Sequence, residues 1–285
     1  MERELWNELY ATVSRLGKVY RSPGVQHADA WIVLVFLWAV LHDRPRCWAC
    51  QESNWPLADR PVQLPSPSTL SRRLRTDGVR ELLNAAERDL RERQPHSCVK
   101  VLDSLPLPIG ASSQDPDAGY GWAGGCKARG YKLHVVLDKH RGIEAWDIEP
   151  MNRNEKAVAP QLLYQLDSQA YLPADSQYDS NHLYEIAHDV GSQLVSVPKK
   201  GKGLGHRRQS PYRLRSRELL DKPLGRALLA ERGQIERFFG QLGNFAGGLS
   251  PLPHWVRRRE RVWVWVQGKL ILNAIRLALK ARLTG

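Results

Sequence analysis

The chain has 285 residues, 42% of them hydrophobic, and carries a formal net charge of +12. A chain of this length can bury one large hydrophobic core or two smaller ones. Its longest apolar runs, at 30–41 and 262–266, are shorter than the roughly 20 residues that span a bilayer. No apolar export signal follows Met1, and four cysteines are too few for a disulfide scaffold. These observations argue against a membrane-spanning or secreted protein.

The positive charge is concentrated in the C-terminal third. Residues 1–100 carry a net charge of +3, residues 101–198 of −6 and residues 199–285 of +15. Lys and Arg side chains beside phosphates release condensed counterions, which gives affinity for nucleic acid of any sequence. The charge distribution therefore favours nucleic acid over a membrane surface as the partner.

Residues 1–95 are predicted to form an all-helical domain. Apolar residues recur every three or four positions from Leu5 to Leu16, as on one face of an amphipathic helix. Residues 29–41 are almost entirely apolar, which is typical of a buried helix. A further helix is predicted at 79–93 and completes this domain.

A short basic helix within this domain is a candidate for DNA recognition. Ser66 and Pro67 form a helix-start signal, with serine as the cap and proline at the first helical position. Arg72 and Arg75 are expected on its outward face. A short polar helix after another helix and a turn is typical of the helix-turn-helix structure that reads DNA. A solvated basic face without a ligand is the alternative interpretation.

Residues 96–285 are predicted to form a mixed α/β domain. Short apolar runs between turn signals indicate strands, and longer helical repeats follow them. Such an order implies a mixed sheet with covering helices. The predicted strands are 99–103, 131–137, 143–148, 171–174 and 193–197, and the predicted helices are 155–166, 181–190, 224–245 and 257–283.

A basic insertion is predicted at about 199–222, as a loop or irregular segment without an apolar period. Eight cations precede its first acid, Glu218. The favoured interpretation is a clamp on the DNA backbone that becomes ordered on binding, and a solvated loop is the alternative. The candidate DNA-binding residues of the insertion are Lys199, Lys200, Lys202, Arg207, Arg208, Arg213 and Arg215, and Arg237 is a further candidate on the helix that follows.

Three acids are candidates for a metal site. Asp103 and Asp175 each end an apolar run, and Glu236 belongs to a helical repeat. If the two runs are neighbouring strands, the three carboxylates can converge at one edge of the sheet. Hard divalent ions such as Mg²⁺ take carboxylate oxygens as ligands. Each acid alone is also explained by a turn or by an ion pair. The residues that flank the three acids are therefore needed to support a metal site.

Four stretches of the chain resemble the DDE transposases of bacterial insertion sequences, in the group with an RNase H-like catalytic domain. They surround the three acids and the hairpin that follows the first acid. The stretches are Val101-Leu-Asp-Ser-Leu-Pro-Leu107, Gly130-Tyr-Lys-Leu-His-Val-Val-Leu-Asp138, Leu172-Pro-Ala-Asp-Ser-Gln-Tyr-Asp-Ser180 and Arg232-Gly-Gln-Ile-Glu-Arg-Phe-Phe-Gly-Gln-Leu242. The resemblance implies an RNase H-like mixed sheet with covering helices.

The resemblance also implies a two-metal mechanism. Asp103 would bridge two Mg²⁺ ions, for which Mn²⁺ can substitute, and Asp175 and Glu236 would each hold one of them. The ions would activate a water or a DNA 3′-hydroxyl and stabilise the leaving oxygen, without a covalent protein intermediate. In the family, an arginine at the position of Arg232 serves the DNA end near the scissile phosphate. An ion pair with Glu236 is the alternative role of Arg232.

Two positions depart from the family pattern. Family members often carry a tyrosine three residues before that arginine and a lysine seven residues after the glutamate, where this chain has Leu229 and Gly243. This motivates a second hypothesis, a DNA-binding repressor or structural factor on a catalytically decayed fold. A third is a nuclease of the same fold that hydrolyses DNA without joining it. Asp179 competes with Asp175 as the second acid and is interpreted as a helix cap.

The sequence thus predicts a metal-dependent DNA transposase with nuclease and strand-transferase activity. It would cut DNA at the ends of an insertion sequence and join those ends to target DNA. Its expected partners are the terminal inverted repeats, the target DNA and a second copy of the chain in the active complex. The expected location is the bacterial cytoplasm, where the protein is associated with the nucleoid when bound to DNA.

Overall fold

The structure is a computed structural model that describes residues 2–20, 22–56, 63–140, 142–198, 208–244 and 248–284. It divides into two compact units. We call residues 1–93, 242–249 and 261–285 the helical unit, and residues 94–241 and 250–260 the sheet unit. The C-terminal segment from residue 261 therefore belongs to the helical unit, whereas the sequence placed all of 96–285 in the second domain.

The helical unit is built around one apolar helix. Its N-terminal elements are α1 (Glu2–Leu16), α2 (Asp29–Leu41), α3 (Arg46–Ala49), α4 (Pro67–Arg73) and α5 (Asp77–Glu92). Most of α2 is buried, as its composition predicted. Asp29 at its start is buried as well, and it pairs with Arg73 and accepts a hydrogen bond from the Ser22 amide at 2.9 Å. A buried carboxylate needs such partners because an unpaired buried charge is costly.

Helix α4 begins where the sequence predicted. The Ser66 hydroxyl accepts a hydrogen bond from the Thr69 amide at 3.2 Å, and Pro67 opens the first turn. The helix ends at Arg73, so Arg72 lies on its exposed face and Arg75 lies exposed just after it. The arginine between them, Arg73, instead points into the helical unit towards Asp29.

The sheet unit contains a mixed sheet, which confirms the predicted class. Its strands are β1 (Lys100–Pro108), β2 (Gly119–Ala123), β3 (Cys126–Asp138), β4 (Gly142–Pro150), β5 (Tyr171–Ala174) and β6 (Gln193–Ser196). The strand order is β2-β3-β1-β5-β6, and β4 pairs with β3. Strand β3 is antiparallel to β1, β2 and β4, whereas β5 is parallel to both β1 and β6.

Helices cover this sheet, as an RNase H-like arrangement requires. They are α6 (Glu155–Leu163), α7 (Asn181–Asp189), α8 (Pro211–Asp221), α9 (Pro223–Ala230) and α10 (Gly233–Gly243). Apolar side chains from α6 and α7 form a buried cluster with the sheet, which includes Leu102, Val136, Leu162, Leu183 and Leu194. The hydrophobic core of the unit thus lies directly behind β1 and β5.

Part of the predicted basic insertion is helical. Helix α8 occupies 211–221, where the sequence predicted a loop, and Tyr212 of α8 stacks on His188 of α7 with ring centroids 3.7 Å apart. This tertiary contact stabilises a helix that has no apolar repeat of its own. The helix predicted at 224–245 is interrupted at 231–232, so α9 and α10 are separate. Lys199, Lys200, Lys202 and Arg207 lie outside the described residues.

The long helix α11 (Arg259–Thr284) packs closely against α2. A Cβ atom built on Gly268 would lie 3.1–3.3 Å from the side chains of Val40, Leu37 and Phe36. This contact explains why the C-terminal segment joins the helical unit. Within the described residues, one helix, 259–282, is long and apolar enough to cross a membrane, and 67% of its most apolar window is buried inside the protein, as in a core helix.

Candidate active site

Two neighbouring strands set Asp103 and Asp175 side by side. Strand β5 runs parallel to β1 with Leu102 opposite Ala174, so each aspartate directly follows one member of this pair. Neighbouring strands are about 4.8 Å apart. Asp175 follows the last residue of β5, as predicted, whereas Asp103 lies inside β1 rather than at its end. The second half of β1 persists because it pairs with β3 as far as Pro108.

Arg232 connects α10, the helix that carries Glu236, to Asp103. Glu236 lies in the first turn of α10, and Arg232 immediately precedes that helix. The Arg232 guanidinium approaches the Asp103 carboxylate, with 3.8 Å between Nη2 and Oδ2. Among the ion pairs of the described residues, Arg232 pairs with Asp103 and not with Glu236. The sequence had offered Glu236 as the partner of an ion pair.

The environment of Asp103 disfavours its negative charge. The pKa of Asp103 is raised to about 6, chiefly by burial and further by the negative charges of Asp175 and Glu236. The Ser104 amide and the Arg232 guanidinium act in the opposite direction on this pKa. Since both other carboxylates act on Asp103, the structure brings the three predicted acids into one region. A bound cation would relieve their mutual repulsion.

The donor atoms suit a hard divalent ion such as Mg²⁺ or Mn²⁺. The Ser104 amide donates to Asp103 Oδ1 and the Gln177 amide to Asp175 Oδ1, both at 2.8 Å, and these hydrogen bonds orient the two carboxylates. Glu236 is exposed. In the part of the chain that the structure describes, no three acidic, histidine or cysteine side chains are close enough to hold a metal ion together. A site with three carboxylate ligands therefore requires Asp103, Asp175 and Glu236 to approach one another more closely.

Asp179 does not cap the start of α7, and it pairs with an arginine outside the acidic site. The Arg213 guanidinium donates to both of its carboxylate oxygens, at 2.7 Å from Nε and 2.6 Å from Nη2. The Asp179 side chain is only 3% exposed, and Ser180 is the residue that precedes α7. The predicted capping role is wrong because this two-pronged ion pair holds Asp179 against α8. The same pair engages Arg213, which the sequence had assigned to DNA.

The remaining candidate cations that the structure describes are available to a ligand. An arginine must reach solvent to contact a DNA phosphate. The exposed candidates are Arg72 of α4, Arg75 just after α4, Arg208 before α8, Arg215 of α8 and Arg237 of α10. Two of them therefore lie in the helical unit and three in the sheet unit.

A basic cluster of the helical unit contains Arg46, Arg75 and Arg261. Burial lowers the pKa of Arg46, and the positive charges of Arg261 and Arg75 lower it further. Arginines close enough to repel one another form a ready site for a phosphate. Arg75 and Arg261 come from distant parts of the chain, so only the fold brings both of them to Arg46.

Comparison with known families agrees with this geometry. Residues 94–267, well over half of the chain, match the sequence model of the transposase DDE domain. No curated protein matches the chain. The matched range contains the whole mixed sheet together with Asp103, Asp175 and Glu236. The chain therefore belongs to the family of DDE transposases, whose members act on DNA and depend on divalent metal ions.

Proposed function

We propose that this chain cuts DNA at the ends of an insertion sequence and joins those ends to target DNA, with Asp103, Asp175 and Glu236 as its metal-binding carboxylates. The observation that supports this most strongly is the pairing of Leu102 with Ala174, which sets Asp103 beside Asp175. The pKa of Asp103, which both other acids raise, supports the inclusion of Glu236.

The chain's own residues supply orientation and charge for this reaction. When bound, two Mg²⁺ ions, or Mn²⁺ in their place, would activate a water or a DNA 3′-hydroxyl and stabilise the leaving oxygen. The backbone amides of Ser104 and Gln177 donate to the Oδ1 atoms of Asp103 and Asp175, so the Oδ2 atoms are the metal ligands of this proposal. Arg232 contributes a positive charge beside Asp103, where the scissile phosphate has to lie.

The exposed arginines extend this function to the rest of the DNA. Arg72 and Arg75, with Arg46 near Arg75 and Arg261 near Arg46, hold phosphates at the helical unit, which acts as the helix-turn-helix-like reader of the terminal inverted repeats. Arg208, Arg215 and Arg237 hold the DNA backbone at the sheet unit, together with the basic segment 199–207. The active complex is a homodimer on DNA in the bacterial cytoplasm.

The experiment is a cleavage assay on labelled DNA. A linear fragment that contains the sequences flanking the coding region is incubated with the protein and Mg²⁺, and nicks and joined products are resolved on a denaturing gel. The unmutated protein is expected to nick and join, whereas Asp103→Asn and Asp175→Asn are expected to bind the DNA without nicking it. Asp189→Asn, at an exposed aspartate of α7, is the control and should react normally.

One specific observation favours a second candidate, a DNA-binding factor without catalysis. Leu229 and Gly243 stand where the family often carries a tyrosine and a lysine. Binding of the terminal DNA by the unmutated protein without any nick, in both Mg²⁺ and Mn²⁺, would select this candidate. Nicks without joined products would select a nuclease.

A further inference from the structure

The hairpin of β2 and β3 carries two strongly exposed aromatic side chains. Tyr120 is 59% exposed and Trp122 is 73% exposed. They lie two residues apart on β2, on the same face of the strand and about 7 Å from each other. Large aromatic side chains usually bury most of their surface, so two exposed neighbours on one face mark a binding surface.

Two glycines of β2 show that the opposite face of the strand has no room for large side chains. A Cβ atom on Gly119 would lie 2.1 Å from Asn152 Oδ1, and a Cβ atom on Gly121 would lie 2.5 Å from Met151 Cγ. A side chain at position 119 or 121 would therefore clash with residues 151–152. Because side chains alternate along a strand, Tyr120 and Trp122 have to point the other way.

Positive charges share this outer face. Arg129 lies opposite Tyr120, and Lys127 lies opposite Trp122, in the β2–β3 register. Lys127 Nζ is 5.9 Å and Arg129 Cζ is 5.8 Å from the centroid of the Tyr120 ring. Residues 118–132 contain no acidic residue. The face thus combines flat apolar rings with cations, which is the chemistry of a surface for nucleic acid.

The hairpin is a rigid support for this face. Its turn residues, Gly124 and Gly125, have φ values of +57° and +82°, as in the two-residue turns whose twist matches that of the strands. The Arg129 guanidinium also donates to the backbone carbonyls of Ser113 and Ala118, at 3.0 and 3.3 Å. The base of the hairpin is therefore fixed to the preceding loop.

We propose that this face, formed by Tyr120, Trp122, Lys127 and Arg129, binds an unpaired stretch of DNA by stacking of its bases on the two rings. We call this face the stacking platform. An unpaired strand exposes the faces of its bases, whereas a duplex exposes them only at its ends, so the platform selects single strands. The exposed Lys127 then contacts the phosphates between the stacked bases, and Arg129 adds positive charge beside the Tyr120 ring. The proposal rests on the proposed function only in that the partner is DNA.

The platform is distant from the acidic site. Val135 lies opposite Asp103, and Lys127 lies opposite Trp122. These two residues of β3 are eight positions apart, which corresponds to about 26 Å along a strand. The platform therefore holds a segment of DNA away from the scissile phosphate, and binding there is measurable without catalysis.

The test is a binding measurement in EDTA, which prevents any metal-dependent reaction. The affinity of the full chain for a fluorescent 20-nucleotide thymidine strand and for a 20-base-pair duplex is measured by anisotropy. Tyr120→Ala/Trp122→Ala is expected to weaken single-strand binding about tenfold or more and duplex binding less than about twofold. Trp122→Phe should retain the affinity, and Trp122→Leu should lose it, because leucine is apolar but cannot stack.

The control is Tyr164→Ala, because Tyr164 is 64% exposed in the same unit and lies outside the hairpin. It should leave both affinities unchanged. Equal losses for single strand and duplex, or full binding by Trp122→Leu, would overturn stacking. A changed molecular mass of the double variant on size-exclusion chromatography, with single-strand affinity intact, would assign the face to a second copy of the chain instead. Thermal melts verify that each variant folds. Because the assay measures binding in EDTA, its outcome does not depend on whether the protein nicks DNA.

Discussion

At the scale of single residues, Asp103 shows a conflict between folding and its expected role. Its pKa in the folded state is about 6, above the ordinary value of 3.8. Folding therefore favours the protonated form, and the metal-free protein loses stability as the pH rises from about 4 to about 6. The loss reaches at most about 3 kcal/mol, because one pKa unit corresponds to about 1.4 kcal/mol.

The substitution Asp103→Asn should separate the two effects. At pH 7 in EDTA, the variant is expected to melt at a higher temperature than the unmutated protein, because asparagine carries no charge to bury. At pH 4 the two melting temperatures should converge. The measurement is a thermal melt followed by circular dichroism, with Asp189→Asn as an exposed control. Equal melting temperatures of the two proteins at both pH values would show that ionisation of Asp103 does not destabilise the folded protein.

Gly243 offers a test of the departure from the family pattern. A Cβ atom built there would meet no atom within 4 Å, so a lysine fits without strain. If that family position serves DNA, Gly243→Lys should increase affinity for the terminal DNA a few-fold and raise the nicking rate. Gly240→Lys is the matched control, since Gly240 lies on the same helix and is equally open. Equal gains for both variants would mean that added charge alone, and not its position, is responsible.

At the scale of elements, a buried ion pair joins β1 to β4. Lys100 Nζ donates to Glu144 Oε1 at 2.7 Å and to the Ser168 hydroxyl at 2.8 Å, and both charged side chains have no exposed area. Lys100→Met would leave the Glu144 charge buried without its partner. The free energy of unfolding should fall by about 3–5 kcal/mol, measured by urea denaturation at pH 7.

The double variant Lys100→Met/Glu144→Leu is the control for this pair. It removes both charges and fills the space with apolar atoms, so most of the lost stability should return. A loss in the double variant as large as in the single variant would mean that packing, and not the unpaired charge, explains the effect.

The elements show which patterns a sequence reveals. Strand β5 occupies the predicted residues 171–174 because a short apolar run between turn signals specifies a strand locally. Strand β2 was not predicted because two of its five residues are glycine, which weakens any strand pattern. Helix α8 was not predicted because it is stabilised by a contact between Tyr212 and His188, which lie 24 positions apart. Local patterns thus reveal an element whose own residues carry the pattern, but not the distant residues that it contacts.

The candidate site shows the same division. The sequence identified Asp103, Asp175 and Glu236 through the residues around them, and the fold brings them into one region. The pairing that sets Asp103 beside Asp175 joins residues 72 positions apart, and no local pattern specifies it. The Asp179–Arg213 ion pair is likewise non-local, which is why both residues had been given other roles.

At the scale of the whole molecule, the positive charge of the C-terminal third is shared by both units. Residues 261–285 belong to the helical unit and bring Arg261 to Arg75 and Arg46. The sequence assigned this segment to the other domain. Its apolar repeat predicts a buried helix but does not specify which unit the helix packs against. The C-terminal segment therefore adds further cations, such as Arg261, to those of the N-terminal residues of the helical unit.

Binding of DNA by the full chain should accordingly depend steeply on salt. The logarithm of the binding constant falls with the logarithm of salt concentration by about 0.9 for each neutralised phosphate. If Arg72 and Arg75 each hold one phosphate, Arg72→Ala/Arg75→Ala should reduce this slope by about 2, measured by anisotropy of a labelled duplex between 50 and about 300 mM salt. Arg88→Ala, at an exposed arginine of α5, should leave the slope unchanged. An unchanged slope in the double variant would show that α4 presents a solvated face, and DNA recognition would then have to lie elsewhere in the chain.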